Sequence, residues 1–322
     1  MPYHVQMKIH RRLRVFLISL AIYMAVCCAA GIFIADATLH PGRRPLLEAD
    51  ESQAAAMSAK HQSRLRSVEI PAFGGITLRA WEIRPVHDKG NAVVLFHGLS
   101  DNRVGMIGYA ELLVSHGFSV LLPDARSHGA SGGELATYGL WEADDIYRWL
   151  GWLQQNEHPV CMFGLGESMG AAQLLQSLKG NPGLCAVVAE SPFSDFREIA
   201  YDRVGQFFHT GPWLGRSLLR PVVEVAFQYA HWKFNLQLET VSPREALAQT
   251  DIPVLLIHGQ QDHNIPVRHS RAIAERNIHV VLWEVSGADH CGAISTAHEL
   301  FEHKLLDWYD SHSPAKSAVS AD

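Results

Sequence analysis

A chain of 322 residues, 48% of them hydrophobic, carries enough apolar surface for one large core. Its formal net charge of −6 excludes the overall basic field that nucleic-acid binding draws on, so no nucleic-acid partner is expected. Five cysteines in a chain this long do not make a disulfide framework, and no histidine–cysteine grouping has the spacing of a zinc site.

The chain opens on a basic flank, Lys8, Arg11, Arg12 and Arg14, followed by "VFLISLAIYMAVCCAAGIFIA" from Val15 to Ala35. These roughly 21 uncharged residues, at 1.5 Å each, match the ~30 Å hydrocarbon core of a bilayer. Residues 1–37 are therefore expected to form a single-helix membrane anchor. Its basic flank stays cytoplasmic, which places the remainder on the periplasmic or extracellular side. The competing reading is a cleaved signal peptide and a secreted protein, since Ala35-Asp36-Ala37 fits a small-x-small cleavage site. The apolar stretch is longer than the ~7–15 residues of a signal core, which favours the anchor.

Residues 38–64, with "HPGRRP" and "EADESQAAAMSAKHQ", read as a linker or a surface helix. An α/β domain follows over 65–312. "RSVEIPA" and "ITLRAWEIRP" flank Gly74-Gly75 as an antiparallel hairpin, and "NAVVLFHG" is a short apolar run of the kind buried on both faces. "MIGYAELLVSHG" reads as a helix, "FSVLLPD" as a strand, and "WEADDIYRWLGWLQQN" as an amphipathic helix. "PVCMFGLG", "LCAVVAES", "IPVLLIHG" and "HVVLWEV" supply four more strands; "AHELFEHKLLDWYDSH" is the last helix. Cys161, Cys185 and Cys291 fall on or beside these strands and read as buried free thiols. Strands alternating with helices call for a mostly parallel sheet covered on both faces. The strand-free stretch of about 197–250 breaks the rhythm and is expected to form several short helices, as a functional insertion or a small subdomain. Its Phe207, Phe208, Trp213, Leu214, Phe227 and Trp232 are expected mainly to form the insertion's own small core, the alternative being an apolar acyl pocket. The polar tail 313–322 is expected to be disordered.

One position carries the chemistry. In "FGLGESMGAAQLLQSL", Ser168 sits between a strand and a helix, walled by Gly166 and Gly170. A hydroxyl is a poor nucleophile unaided, so it needs a base and something to hold that base. A sharp strand-to-helix turn lifts the serine clear of the sheet, and the helix amides beyond it face any negative charge forming there. The acid and the base are expected later in the chain. Asp262 lies in "LLIHGQQDHNIP" just past a strand end, and His290 lies in the glycine-bounded loop "VSGADHCGA". Parallel strands bring such ends to one edge of the sheet. Asp195, after the next strand, is the alternative acid. The backbone N–H groups of Leu99 and Met169 are the expected oxyanion-hole donors. His97 is read as structural.

On His97-Gly98, "DARSHGASGG", Gly166-Glu167-Ser168-Met169-Gly170, "HGQQDHNIP" and "GADHCG", the sequence resembles the α/β-hydrolase superfamily, in particular its serine-aminopeptidase-like, BEM46-like bacterial hydrolases. The resemblance spans about residues 66–310. It implies an α/β-hydrolase fold: a mostly parallel eight-stranded sheet with helices on both faces and a helical cap insertion. It also implies Ser168, Asp262 and His290 as a triad, with Asp124 and Arg126 bracing a loop beside it. The function expected is hydrolysis of a carboxylic ester or related acyl bond in a small molecule, lipid-derived esters included, with no cofactor and no metal. Amidase or peptidase action, acyl transfer on the same triad, and a non-catalytic tethered protein are the competing readings.

Overall fold

The computed structural model describes residues 3–314. The tail expected to be disordered lies, from residue 315 onward, outside the described residues. In chain order, the helices α1 (Tyr3–Leu39) and α2 (Glu48–Lys60) precede the hairpin β1 (Ser63–Ala72) and β2 (Ile76–Pro85). Then come β3 (Asn91–Phe96), α3 (Ile107–Ser115), β4 (Ser119–Pro123), α4 (Glu142–Asn156), β5 (Cys161–Glu167), α5 (Ser168–Ser177) and β6 (Ala186–Glu190). Helices α6 (Phe196–Phe207), α7 (Trp213–Arg216), α8 (Arg220–Phe234) and α9 (Pro243–Leu247) separate β6 from β7 (Val254–Gly259). The chain ends through α10 (Arg268–Ala274), β8 (Val280–Val285), α11 (Ala293–Thr296) and α12 (His298–Ser311).

These elements form two compact units. One joins the N-terminal helix to Arg197–Leu238; the other joins His40–Phe196 to the chain from Glu239 onward.

The second unit holds one eight-stranded sheet in the order β1-β2-β4-β3-β5-β6-β7-β8. β2 runs antiparallel to β1 and β4, and every other pairing is parallel. Gly74 and Gly75, at φ +87° and +72°, turn the β1–β2 hairpin in a conformation a β-carbon would resist. The apolar runs alternate between faces with the two-residue period of a strand. Val93, Leu95, Phe163 and Leu165 pack with Leu113, Phe301, Leu305 and Tyr309 on one face. Ala92, Val94, Val187 and Leu256 pack with Ile146, Trp149, Leu150 and Leu153 of α4 on the other. Each such aliphatic side chain contributes roughly 1.5–3 kcal/mol by burial.

Within residues 38–64, α2 buries Ala54 and Met57. The stretch before it is held as a strap. Arg43 donates to the carbonyls of Ser127, Ser131 and Gly133, Arg44 pairs with Asp101 at 2.7 Å, and Asn102 donates to the carbonyls of Arg44 and Pro45.

Cys161 and Cys185 are joined as a disulfide and are not the free thiols expected. The physical reason is the sheet: β5 and β6 are neighbours, and the register pairing Phe163 with Ala186 brings the two residues side by side. Cys27, Cys28 and Cys291 are the free cysteines among the described residues.

In the first unit, α1 lies along α8. A β-carbon at Gly31 would stand 2.7 Å from the Val222 carbonyl oxygen, so glycine permits the close approach of the two helices. The expectation of a small aromatic core in the insertion holds for Phe227 alone, which is 5% exposed. Phe207, Phe208, Trp213 and Trp232 face outward and Leu214 is partly buried. Among the described residues one helix is long and apolar enough to cross a membrane, Met7–Leu39, with mean hydropathy 2.5.

Candidate active site

The carboxyl ends of β5, β7 and β8 deliver three side chains to one place. Ser168 is the first residue of α5, directly after β5, at φ +50°. A non-glycine residue held in that left-handed region marks a stored backbone strain of order 1–3 kcal/mol. Its two glycines are obligatory. A β-carbon at Gly166 would meet Gly170 and the Ala171 amide at 2.7 Å, and one at Gly170 would meet the carbonyl oxygens of Phe96 and His97 at 2.4 and 2.5 Å.

Asp262 follows β7 and His290 follows β8. His290 Nε2 lies 2.9 Å from Ser168 Oγ, and His290 Nδ1 lies 2.8 Å from Asp262 Oδ2. Asp262 is itself fixed, because its Oδ1 accepts the backbone N–H groups of Asn264 (2.9 Å) and Ile265 (2.7 Å). Burial alone would raise the Asp262 carboxyl. The bonds from His258 and His290, the His290 charge and the Ile265 amide outweigh it and hold the group well below the usual carboxylate range. A carboxylate facing Nδ1 sets the imidazole tautomer, so that Nε2 presents its lone pair to the hydroxyl. The two loops are also tied together, since Asp289 Oδ1 accepts the N–H groups of His263 and His290. Asp195 is not part of this group; its partners are Ser242 and Arg244.

Leu99 stands in the loop after β3, where a β-carbon built on Gly98 would lie 3.7 Å from the Ser168 β-carbon, and Met169 follows Ser168 in the first turn of α5. His97 is fully buried. Its Nε2 accepts the Ala125 N–H at 3.0 Å, which leaves Nδ1 to donate to the Gly98 carbonyl at 2.7 Å. Burial, helped by neighbouring His128, lowers it to about 4 and keeps it neutral, as that pattern requires. Asp124 accepts from Arg103 and from the Ala130 N–H, and Arg126 pairs with Asp145 through two bonds. Both brace the loop beside the site.

A buried acidic chain that no sequence motif announces lies behind Ser168, Asp262 and His290. Tyr109 Oη lies 2.6 Å from Glu167 and 2.9 Å from Glu190, and Glu190 accepts the Ala293 N–H at 2.9 Å. One hydroxyl proton cannot serve two carboxylates, so one carboxyl must carry a proton. Burial pushes Glu167 up to about 8, with the charges of Glu190 and Asp101 adding to the effect against the Tyr109 bond. The consistent arrangement is a protonated Glu167 donating to Tyr109, which donates to Glu190. The signal available in the sequence was a glutamate closing an otherwise apolar strand. Cys291, next to His290, remains a thiol because burial raises it well above its ordinary range.

This proton has a measurable consequence. An unfolded glutamate titrates at about 4.3, so the folded chain holds the proton more tightly. The resulting stability is complete below about pH 4 and is lost as the pH climbs through the folded value. Glu167→Gln keeps a donor toward Tyr109 and removes the titration. Its melting temperature should gain several degrees on wild type between pH 5 and pH 9. Parallel curves over that range would show that Glu167 is ionised throughout.

The sequence profile of the Alpha/beta hydrolase family matches residues 93–303. The uncharacterized protein YqkD of Bacillus subtilis is 29% identical over 210 residues, covering 64% of this chain and 66% of YqkD. YfhR of Escherichia coli K12, likewise uncharacterized, is 25% identical over 254 residues, covering 75% of this chain and 79% of YfhR. Among solved structures, the Pyrococcus furiosus esterase Pf2001 superposes with a TM-score of 0.66 at 22% identity, over 86% of this chain and 99% of its own. Est1E of Butyrivibrio proteoclasticus with bound ferulic acid gives 0.57 at 19% identity, over 76% and 99%.

Proposed function

This chain belongs to the alpha/beta hydrolase family, and on that premise we propose that it is a serine hydrolase that cleaves carboxylic esters through an acyl-enzyme on Ser168. The observation that carries the reading is the unbroken relay from Ser168 Oγ to His290 at 2.9 Å and on to Asp262 at 2.8 Å. Ser168 Oγ attacks the ester carbonyl as His290 Nε2 takes its proton, and a tetrahedral oxyanion forms. The Leu99 and Met169 N–H groups are assigned to that oxyanion, where a single preorganised donor contributes about 3 kcal/mol. His290 then protonates the departing alcohol. Water enters, gives a proton to the same nitrogen and attacks the acyl-enzyme, and the acid is released as Ser168 regains its hydrogen. Asp262 stays ionised throughout and stabilises the imidazolium.

The esterase name carried by the Pyrococcus neighbour agrees with this choice of substrate. We further read α1 as an uncleaved anchor with the catalytic unit on the non-cytoplasmic side. The basic flank Lys8–Arg14 and the Cys161–Cys185 disulfide, a bond typical of oxidising compartments, both support that side. A panel of p-nitrophenyl esters of increasing acyl length tests the activity. Turnover that varies with chain length is expected; cleavage of amides with no ester turned over would overturn the ester assignment.

A further inference from the structure

We propose that the helical insertion Arg197–Leu238 is immersed in the lipid leaflet on the far side of the membrane, with Phe207, Phe208, Trp213 and Leu218 in contact with acyl chains. The inference rests on the reading of α1 as a spanning anchor and goes beyond it.

Helices α1 and α8 run parallel and are pinned along their length. Tyr23 donates to the Leu218 carbonyl, Gly31 accommodates Val222 and Val225, and Asp36 pairs with Lys233 at 3.3 Å. Depth follows from arithmetic. Tyr23 lies twelve residues before Ala35, which at a rise of 1.5 Å is about 18 Å along the helix. A hydrocarbon core is ~30 Å thick, so a span from Val15 to Ala35 puts Tyr23, and the start of α8 with it, well inside. The span has no freedom to slide toward the N-terminus, because Arg14, Arg12, Arg11 and Lys8 would then enter the lipid.

The surface of the insertion at that level is built for such a setting. Phe207, Phe208, Trp213 and Leu218 are 79%, 52%, 61% and 61% exposed, a concentration of large apolar side chains that a water-facing surface does not favour. Among the charged groups of these helices, Arg216 pairs with Glu198, Arg197 and Arg220 pair with Glu224, and Arg203 donates to Gln206. Paired charges are the form in which ionisable side chains are tolerated in lipid. Trp232, 83% exposed, lies at the Asp36 end, where a tryptophan belongs at the headgroup boundary.

The test uses the full chain reconstituted in phosphatidylcholine vesicles carrying nitroxide lipids, labelled either on the headgroup or deep on the acyl chain. Tryptophan quenching is compared among wild type, Trp213→Phe and Trp232→Phe, with aqueous iodide as the opposite probe. Trp213→Phe should remove at least half of the quenching by the deep label, and Trp232→Phe should reduce only quenching by the headgroup label. Alkaline carbonate extraction is run alongside. Release of the protein by carbonate would overturn the anchor and the immersion together. If the protein resists carbonate while Trp213 is quenched by iodide and not by lipid, the anchor stands and the immersion falls. Trp213 shielded from both probes would place a protein surface there, a second copy of the chain included, and would equally overturn the proposal.

Discussion

Ser168→Ala is expected to lower kcat by about 10⁵–10⁶ and to abolish labelling by a fluorophosphonate probe, and His290→Ala should lower kcat to a similar degree. The reason is geometric. Oγ has a base 2.9 Å away, and either half of that pair is idle without the other. Losses in such a unit do not multiply, so the Ser168→Ala/His290→Ala double variant should be no slower than the worse single one. Asp262→Asn is expected to cost about 10⁴ with the fold intact. Its Oδ1 can still accept the Asn264 and Ile265 amides, but an amide facing Nδ1 drives the imidazole into the tautomer whose Nε2 carries a hydrogen. Because Asp262 is held well below the usual carboxylate range, it adds no ionisation of its own on the acid side of neutral. Multiplicative losses in the double variant, or retained labelling in Ser168→Ala, would place the nucleophile elsewhere.

What could be read in the sequence is what is encoded locally. Gly166 and Gly170 are legible because a β-carbon on the first would strike Gly170 and Ala171 in the following turn, and one on the second the backbone at the end of neighbouring β3, so no other residue type fits. The strands announce themselves as short apolar runs bounded by turn residues, and the parallel sheet follows from their alternation with helices. Ser168, Asp262 and His290 were legible as a set because each closes a strand, and the structure brings them within hydrogen-bond distance. What escaped notice depends on register and on distant elements meeting. The Glu167–Tyr109–Glu190 chain needs β5, α3 and β6 at once. The Cys161–Cys185 bond needs β5 beside β6 in a particular register. The spacing of the insertion's aromatic residues suits a small core, but spacing cannot tell a face turned inward from one turned toward another medium. Arg43 and Arg44 looked like linker residues, since nothing near them in sequence names the carbonyls and carboxylates they reach.

The largest effect on stability is expected from Asp124→Ala, at about 3–5 kcal/mol, the cost of stranding a buried partner charge. Asp124 is fully buried and takes Arg103 Nη2 at 2.6 Å, the Arg103 N–H at 2.8 Å and the Ala130 N–H at 2.6 Å. Arg103 is 2% exposed, and its guanidinium lies over the Trp81 ring at 5.2 Å, so it has no route to water when its carboxylate is removed. The Arg103→Met/Asp124→Ala double variant removes both charges and should recover much of the loss in urea unfolding. Simple additivity would show that the backbone bonds to Asp124, and not the ion pair, carry the stability. The pH dependence separates the two further. Burial alone would raise the Asp124 carboxyl, but the Arg103 bond and charge, then the Ala130 and Arg103 amides, lower it below its ordinary value. A depressed carboxylate gives stability that is present above the unfolded value of about 3.9 and is lost as the pH falls through the folded one. Asp124→Asn should therefore be less stable than wild type at neutral pH and lose less on acidification. Because Arg103 directly follows the loop that holds Leu99, the proposed oxyanion donor, the same variant should lower kcat more than it raises KM, since such a donor matters only once the oxyanion has formed.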